Sequence, residues 1–201
     1  MFDDFIFVPL DLPQIEFDRS EFLDWFDARK TRGMEEYVRK IGYPWNVVWL
    51  KSPEHQPELL DSPLRNLPEC LGELPHIEIK RLYLLEQLIE VPHHRDVSRE
   101  DRVDLGPSTY RNMLINDALD SSFYYLRGTD YRQNLESTPI HPKFPDDTRW
   151  FAHNNFTSHH GSFMPRPEQR KVLLCVWGTV DPDAHFNLLG RSRAKYEEYV
   201  F

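Results

Sequence analysis

Val91-Pro92-His93-His94-Arg95-Asp96 is the stretch on which the fold reading turns. It reads as the end of an extended run, and on extended backbone alternate side chains share a face. His94 and Asp96 therefore point the same way and can hold one ion between them, while His93 turns to the opposite face or to solvent. A third ligand has to come from elsewhere. The histidine-rich run His153-Asn154-Asn155-Phe156-Thr157-Ser158-His159-His160-Gly161 offers one. Two imidazoles and one carboxylate that leave other positions open form a facial set suited to a redox-active divalent metal.

Downstream, Arg170-Lys171-Val172-Leu173-Leu174-Cys175-Val176-Trp177 opens an apolar strand with two basic residues. His-x-Asp, a β-rich middle, a distal His-Gly and then a basic strand form an order that resembles the 2-oxoglutarate/Fe(II)-dependent dioxygenases. The likeness is closest to the branch of proline hydroxylases and aspartyl/asparaginyl β-hydroxylases, and it covers Leu74 to Gly178. It implies a double-stranded β-helix, the jelly-roll or cupin-like core. It also implies Fe(II) held by His94, Asp96 and His160, with 2-oxoglutarate as co-substrate and O2 as oxidant. That family often carries an Asn-Asn pair five residues before its His-Gly, which favours His160 and leaves His159 as the alternative. Gly161 would let the backbone pass close to the site. Asn154 or Asn155 would accept from a ligand imidazole, and His153 reads as a surface or supporting residue.

The resemblance further implies a cation for the far carboxylate of 2-oxoglutarate. Arg170, ten residues after His160, is preferred, and a one-residue register shift would substitute Lys171. Arg111 and Tyr110 are further candidates, of which strand parity lets only one face the barrel. The implied reaction hydroxylates an unactivated C–H bond, of an amino acid or a peptidyl side chain, and releases succinate and CO2. Asp96 argues against halogenation, since related halogenases lack the carboxylate ligand.

Other classes compete. A non-redox metal-binding cupin or isomerase would use the same histidines without consuming 2-oxoglutarate, and an interaction module would bind no metal. His94-Arg95-Asp96 also spells a kinase catalytic-loop triplet, but Asp101 stands where that loop needs Asn, and no Gly-rich loop or Asp-Phe-Gly is present.

The 201 residues suit a single domain, 40% hydrophobic and 13% aromatic, with residues 1–70 as a helical or mixed flank and 74–190 as the jelly-roll core. Against 24 Lys and Arg stand 33 Asp and Glu, a net charge of -9 that disfavours nucleic acid as a partner. Apolar runs such as Val172 to Trp177 are too short to cross a membrane. The opening Met1-Phe2-Asp3-Asp4 carries no signal segment, so a cytoplasmic location is expected. Cys70 and Cys175 imply no disulfide framework.

Ser20 is expected to cap a helix over Glu21 to Lys30, with Met34 to Ile41 continuing it or forming another. Strands are expected at Trp45 to Leu50, Thr109 to Asn116, Ser121 to Leu126, Thr148 to Ala152 and Arg170 to Trp177. The second and third of these would form a hairpin across the acidic turn. Ile77 to Leu88 has no clean period, and helix and strand compete there.

Overall fold

The computed structural model describes residues 5–32, 45–51, 62–88, 90–94, 108–117, 123–126, 139–154, 159–163, 166 and 168–201. Met34 to Ile41 and Asp96 lie outside them. Ten strands and three α-helices are found among the described residues: β1 Phe7–Pro9, α1 Arg19–Arg29, β2 Thr31–Arg32, β3 Trp45–Lys51, α2 Leu67–Gly72, β4 His76–Gln87, β5 Val91–His94, β6 Ser108–Asn116, β7 Phe123–Leu126, β8 Trp150–Asn154, β9 His159–Ser162, β10 Lys171–Val180 and α3 Pro182–Lys195.

The strands form a seven-stranded antiparallel sheet in the order β1-β8-β6-β10-β4-β3-β2 and a three-stranded sheet β5-β9-β7. Two separate cores follow from the alternation of the large sheet. Its outward side chains, among them Leu82, Leu84, Val172, Leu174 and Val176, pack with Phe22 and Phe26 of α1, Leu67 of α2 and Leu188 of α3. Its inward ones, Phe7, Leu85, Met113, Phe151, Leu173, Cys175 and Trp177, meet Tyr125 of the small sheet. The chain is thus a double-stranded β-helix with helices on the outer face of its larger sheet. β10 lies between β4 and β6 and is covered on both faces, which is why its sequence is a continuous apolar run rather than an alternating one.

Local signals account for the element ends. The α1 cap is Asp18 rather than Ser20: its carboxylate accepts from the Glu21 N–H at 2.9 Å, and Arg29 complements the last turn. Ile77 to Leu88 resolves as strand because β4 pairs with β3 on one side and β10 on the other. The expected hairpin does not form, since β6 belongs to the large sheet and β7 to the small one. A further helix, α3, follows the last strand. Asp181 caps it through the Ala184 N–H at 2.8 Å, Pro182 opens it, and His185, Leu188, Leu189 and Ser192 form its buried stripe. The N-terminal flank contributes β1, β2 and β3 to the same sheet as the core.

Behind that sheet Tyr110 hydrogen-bonds His185 Nδ1 of α3, and His76 stands edge-on to Tyr110 with ring centroids 5.1 Å apart. Burial lowers both imidazoles from 6.5 to about 4, and for His76 the neighbouring His185 adds to the effect. Below pH 6.5 the unfolded imidazoles take up protons that these two refuse, so stability is complete above that value and falls toward pH 4. The expected loss between pH 7 and pH 5 is on the order of 2 kcal/mol, allowing for the partial exposure of His76. Urea midpoints across that range test it, and His185→Gln, which keeps a partner for Tyr110, should remove about half of the loss.

Candidate functional site

Strand pairing brings the two described candidate ligands together. In the β5–β9 ladder His94 lies directly opposite His160, so their side chains share a face, and their ring centroids are 4.6 Å apart. His160 is buried and points between the sheets, where Tyr125 on the neighbouring β7 flanks it at 5.9 Å. From the opposite sheet His153 closes on the same ring at 4.4 Å. His153 is wholly buried, which excludes the surface position and leaves the supporting one of the two expected for it. The side chains of His93 and His159 lie outside what the structure describes, as does all of Asp96. Among the described residues no three His, Cys, Asp or Glu side chains converge as a ligand cluster. The pair His94 and His160 has the donor chemistry for a borderline divalent ion, as adjacent imidazoles on neighbouring strands that one ion can bridge.

The basic pair that opens β10 splits across the sheet. Arg170 goes outward: its guanidinium grips Asp27 of α1 with two bonds of 2.8 and 2.9 Å and donates to Glu86 of β4 at 2.6 Å. This hydrogen bonding from Arg170 holds the Asp27 carboxyl below its usual range. Lys171 goes inward and is wholly buried. The preference for Arg170 as the inward cation is therefore corrected, because successive strand residues face opposite sides and Val172 already belongs to the helix-side core.

The Lys171 ammonium donates to Ser162 Oγ; that hydroxyl donates in turn to Gln87 Oε1 at 2.7 Å. The Gln87 amide donates to the carbonyls of Ser162 at 3.2 Å and Phe163 at 3.0 Å. Burial, and after it the like charge of Arg111, push Lys171 well below the ordinary lysine range. Arg111 is itself buried, opposite Cys175 on the inward face of β6. Tyr110, one residue earlier, faces the helices and His185, so parity assigns the barrel to Arg111 alone.

Ser162, Gln87 and Tyr125 were not singled out from sequence. Ser162 had a signal, being two residues after His160 on the same strand and hence on its face. Gln87 and Tyr125 had none without the register.

Gly161 serves the outer face of the small sheet rather than the site. A Cβ there would stand 2.3 Å from Tyr124 Oη and 2.8 Å from the Val91 carbonyl oxygen. The missing side chain lets the Tyr124 ring lie across β9, where it contacts Phe163 at 5.1 Å.

No protein-family model and no curated protein sequence matches this chain. Solved structures do match its fold. The non-heme alpha ketoglutarate dependent epimerase SnoN from nogalamycin biosynthesis aligns over 89% of this chain and 79% of its own, with TM-score 0.51 and 12% identity. SnoN in complex with Fe3+, alpha ketoglutarate and nogalamycin RO also aligns at TM-score 0.51 and 12% identity, over 89% and 80%. A prolyl hydroxylase from Trichoplax adhaerens, in complex with a hypoxia inducible factor oxygen degradation domain peptide fragment, aligns over 88% and 79% with TM-score 0.51 and 11% identity. The fold of this chain is the one these oxygenases use.

Gly161→Ala is expected to destabilise the protein by about 1–3 kcal/mol, the usual range for overpacking against atoms that cannot retreat. Shortening Tyr124 in the same chain should recover only part of the loss, because the Val91 carbonyl belongs to the paired strand. Chemical denaturation of the single and double variants measures both.

Proposed function

We propose that the chain is an Fe(II)- and 2-oxoglutarate-dependent dioxygenase that hydroxylates an unactivated C–H bond. The observation that carries this reading is Lys171, a wholly buried cation on the strand after the distal histidine, aimed into the same inter-sheet space as His160. A carboxylate entering beside His160 would meet the Lys171 ammonium in that space and offset the cost of burying it. Lys171 takes the far carboxylate of 2-oxoglutarate, Ser162 and Gln87 fix the direction of its ammonium, and Arg111 adds a second positive charge nearby. His94, Asp96 and His160 hold the metal. Bound iron with 2-oxoglutarate and O2 supplies the oxidising power, with succinate and CO2 as by-products. His153 and Tyr125 wall the His160 ring and limit water there.

The substrate we infer is an amino acid or a peptidyl side chain. The structural neighbours hold a small molecule in one case and a peptide in the other, so the fold admits both sizes. Cys70 and Cys175 are free and buried, which suits the reducing cytoplasm in which we place the protein. No described helix is long and apolar enough to cross a membrane.

Conversion of 2-oxoglutarate to succinate, dependent on both Fe(II) and O2, tests the reading against a non-redox cupin, which would bind metal and leave 2-oxoglutarate intact. Asp96→Ala and His160→Ala should each abolish it, with metal affinity reduced. Lys171→Ala should weaken 2-oxoglutarate binding by about 2–5 kcal/mol, or roughly 30- to 5,000-fold, with metal affinity unchanged. Arg170→Ala should bind co-substrate normally and lose stability instead; the reverse ranking sinks the assignment of the clamp.

The depressed state of Lys171 adds a pH signature. Burial disfavours the charged form of Lys171 and a bound carboxylate favours it, so binding takes up protons and 2-oxoglutarate affinity should fall as pH rises. Lys171→Arg, whose guanidinium stays charged, should flatten that profile in a calorimetric titration.

A further inference from the structure

Beside the edge of β6 lies a cavity of about 270 Å³, apart from the histidines. The β6–β8 ladder stops at the pair Asn112 and Trp150, and β6 slips register against β10 opposite Val172 and Leu173. Next to that interruption the segment carrying Ile15 and Phe17 runs past the strand and leaves a space lined by both residues and by Leu114. The polar lining is Asn112, Asn116 and Arg149, with Gln14 at the side.

Two buried amide atoms here lack counterparts among the described residues. Asn112 is 2% exposed, and its Nδ2 has no acceptor among them. The buried Oδ1 of Asn116 likewise has no donor among the described residues. Arg149 has one terminal nitrogen held by the carbonyls of Pro145 at 2.6 Å and Thr148 at 3.0 Å, and it has no carboxylate partner among the described residues. Neighbouring acids are otherwise committed: Asp117 to Arg19 at 2.8 and 2.9 Å and to the Arg170 N–H at 3.0 Å, Asp147 to Lys195 at 2.9 Å. Water would answer the two amides, but the space exceeds several waters at about 30 Å³ each, and the partly buried Arg149 guanidinium gives it a positive charge. The lining is divided evenly between polar and apolar side chains, which suits a ligand that has a charged end and an apolar body.

We propose that this cavity binds a small carboxylic acid carrying a hydrogen-bond donor, of the size of an amino acid or its N-acyl derivative. The carboxylate meets Arg149 and the Asn112 amide, the apolar body lies on Ile15, Phe17 and Leu114, and the donor faces Asn116. The site is separate from the proposed dioxygenase chemistry and stands or falls independently of it. Asn116 is nonetheless the register partner of Lys171, so the two sites have to be told apart experimentally.

N-acetylglycine, which has the carboxylate, the N–H and a methyl group, is the probe. Titrated at fixed pH and ionic strength, it should produce saturable, coincident shifts of the Asn112 and Asn116 side-chain amides and of Arg149 Nε–H in ¹H–¹⁵N spectra. Affinity should drop at least tenfold in Arg149→Gln and be retained in Lys171→Met. Asn112→Leu should also lose binding while melting no lower than the parent, because it removes an amide that lacks an acceptor. Shifts that never saturate would mean that the cavity holds water only. Equal binding by the uncharged N-acetylglycinamide would overturn the carboxylate, and loss in Lys171→Met would move the ligand into the barrel.

Discussion

An ammonium group in an apolar interior is among the least favourable things a sheet can bury, and Lys171 begins a strand whose next inward side chains are Leu173, Cys175 and Trp177. What makes the placement tenable is a chain of hydrogen bonds through Ser162 to Gln87, which ties β10 to β9 and β4 and so couples the two sheets at one point. The same alternation that turns Lys171 inward turns Arg170 outward, where its bonds to Asp27 and Glu86 fasten α1 to the back of the sheet. A slip of one residue would exchange the two cations. It would set Lys171 toward Asp27 and Glu86, and the two-bond grip of a guanidinium on Asp27 would be lost.

The candidate site is divided between layers. His94 and His160 belong to the small sheet, whereas His153, Arg111 and Lys171 belong to the large one. Contacts such as His153 against His160 at 4.4 Å therefore report the spacing of the sheets as well as local side-chain packing. The aromatic filling by Phe7, Phe144 and Phe151, with ring centroids 5.4 to 5.5 Å apart, occupies the same interior and supports that spacing.

Much of the fold was legible because its strongest strands carry their own signals. β3, β6, β8 and β10 appear within two or three residues of where residue pattern places them, and the extended run ending at His94 is a strand. What failed was whatever depends on register or on partners distant in sequence. Arg170 and Lys171 are equally basic neighbours, and only the pairing of Val172 with Glu86 reveals which one faces in. Tyr110 and Arg111 pose the same ambiguity. The hairpin expected of β6 and β7 was a local inference overridden by pairing with β8, β9 and β10. Helix α3 carries its own signals in Asp181-Pro182 at its start and in the spacing of His185, Leu188, Leu189 and Ser192. Gly161 was expected to let the backbone pass close to the site, whereas the ring it accommodates comes from Tyr124, far off in sequence.

The strand order has one more consequence. β10 is the last of the described strands and yet the middle one of the large sheet, with β6 on one side and β4 on the other. During synthesis, β3, β4, β6 and β8 emerge from the ribosome before the element that joins them, so their facing edges stay unsatisfied until residue 180 has cleared the exit tunnel. Until then the nascent polypeptide holds two half-sheets with open, apolar borders, the condition in which chaperones find their clients. β10 joins the two halves and brings the buried Lys171 with it.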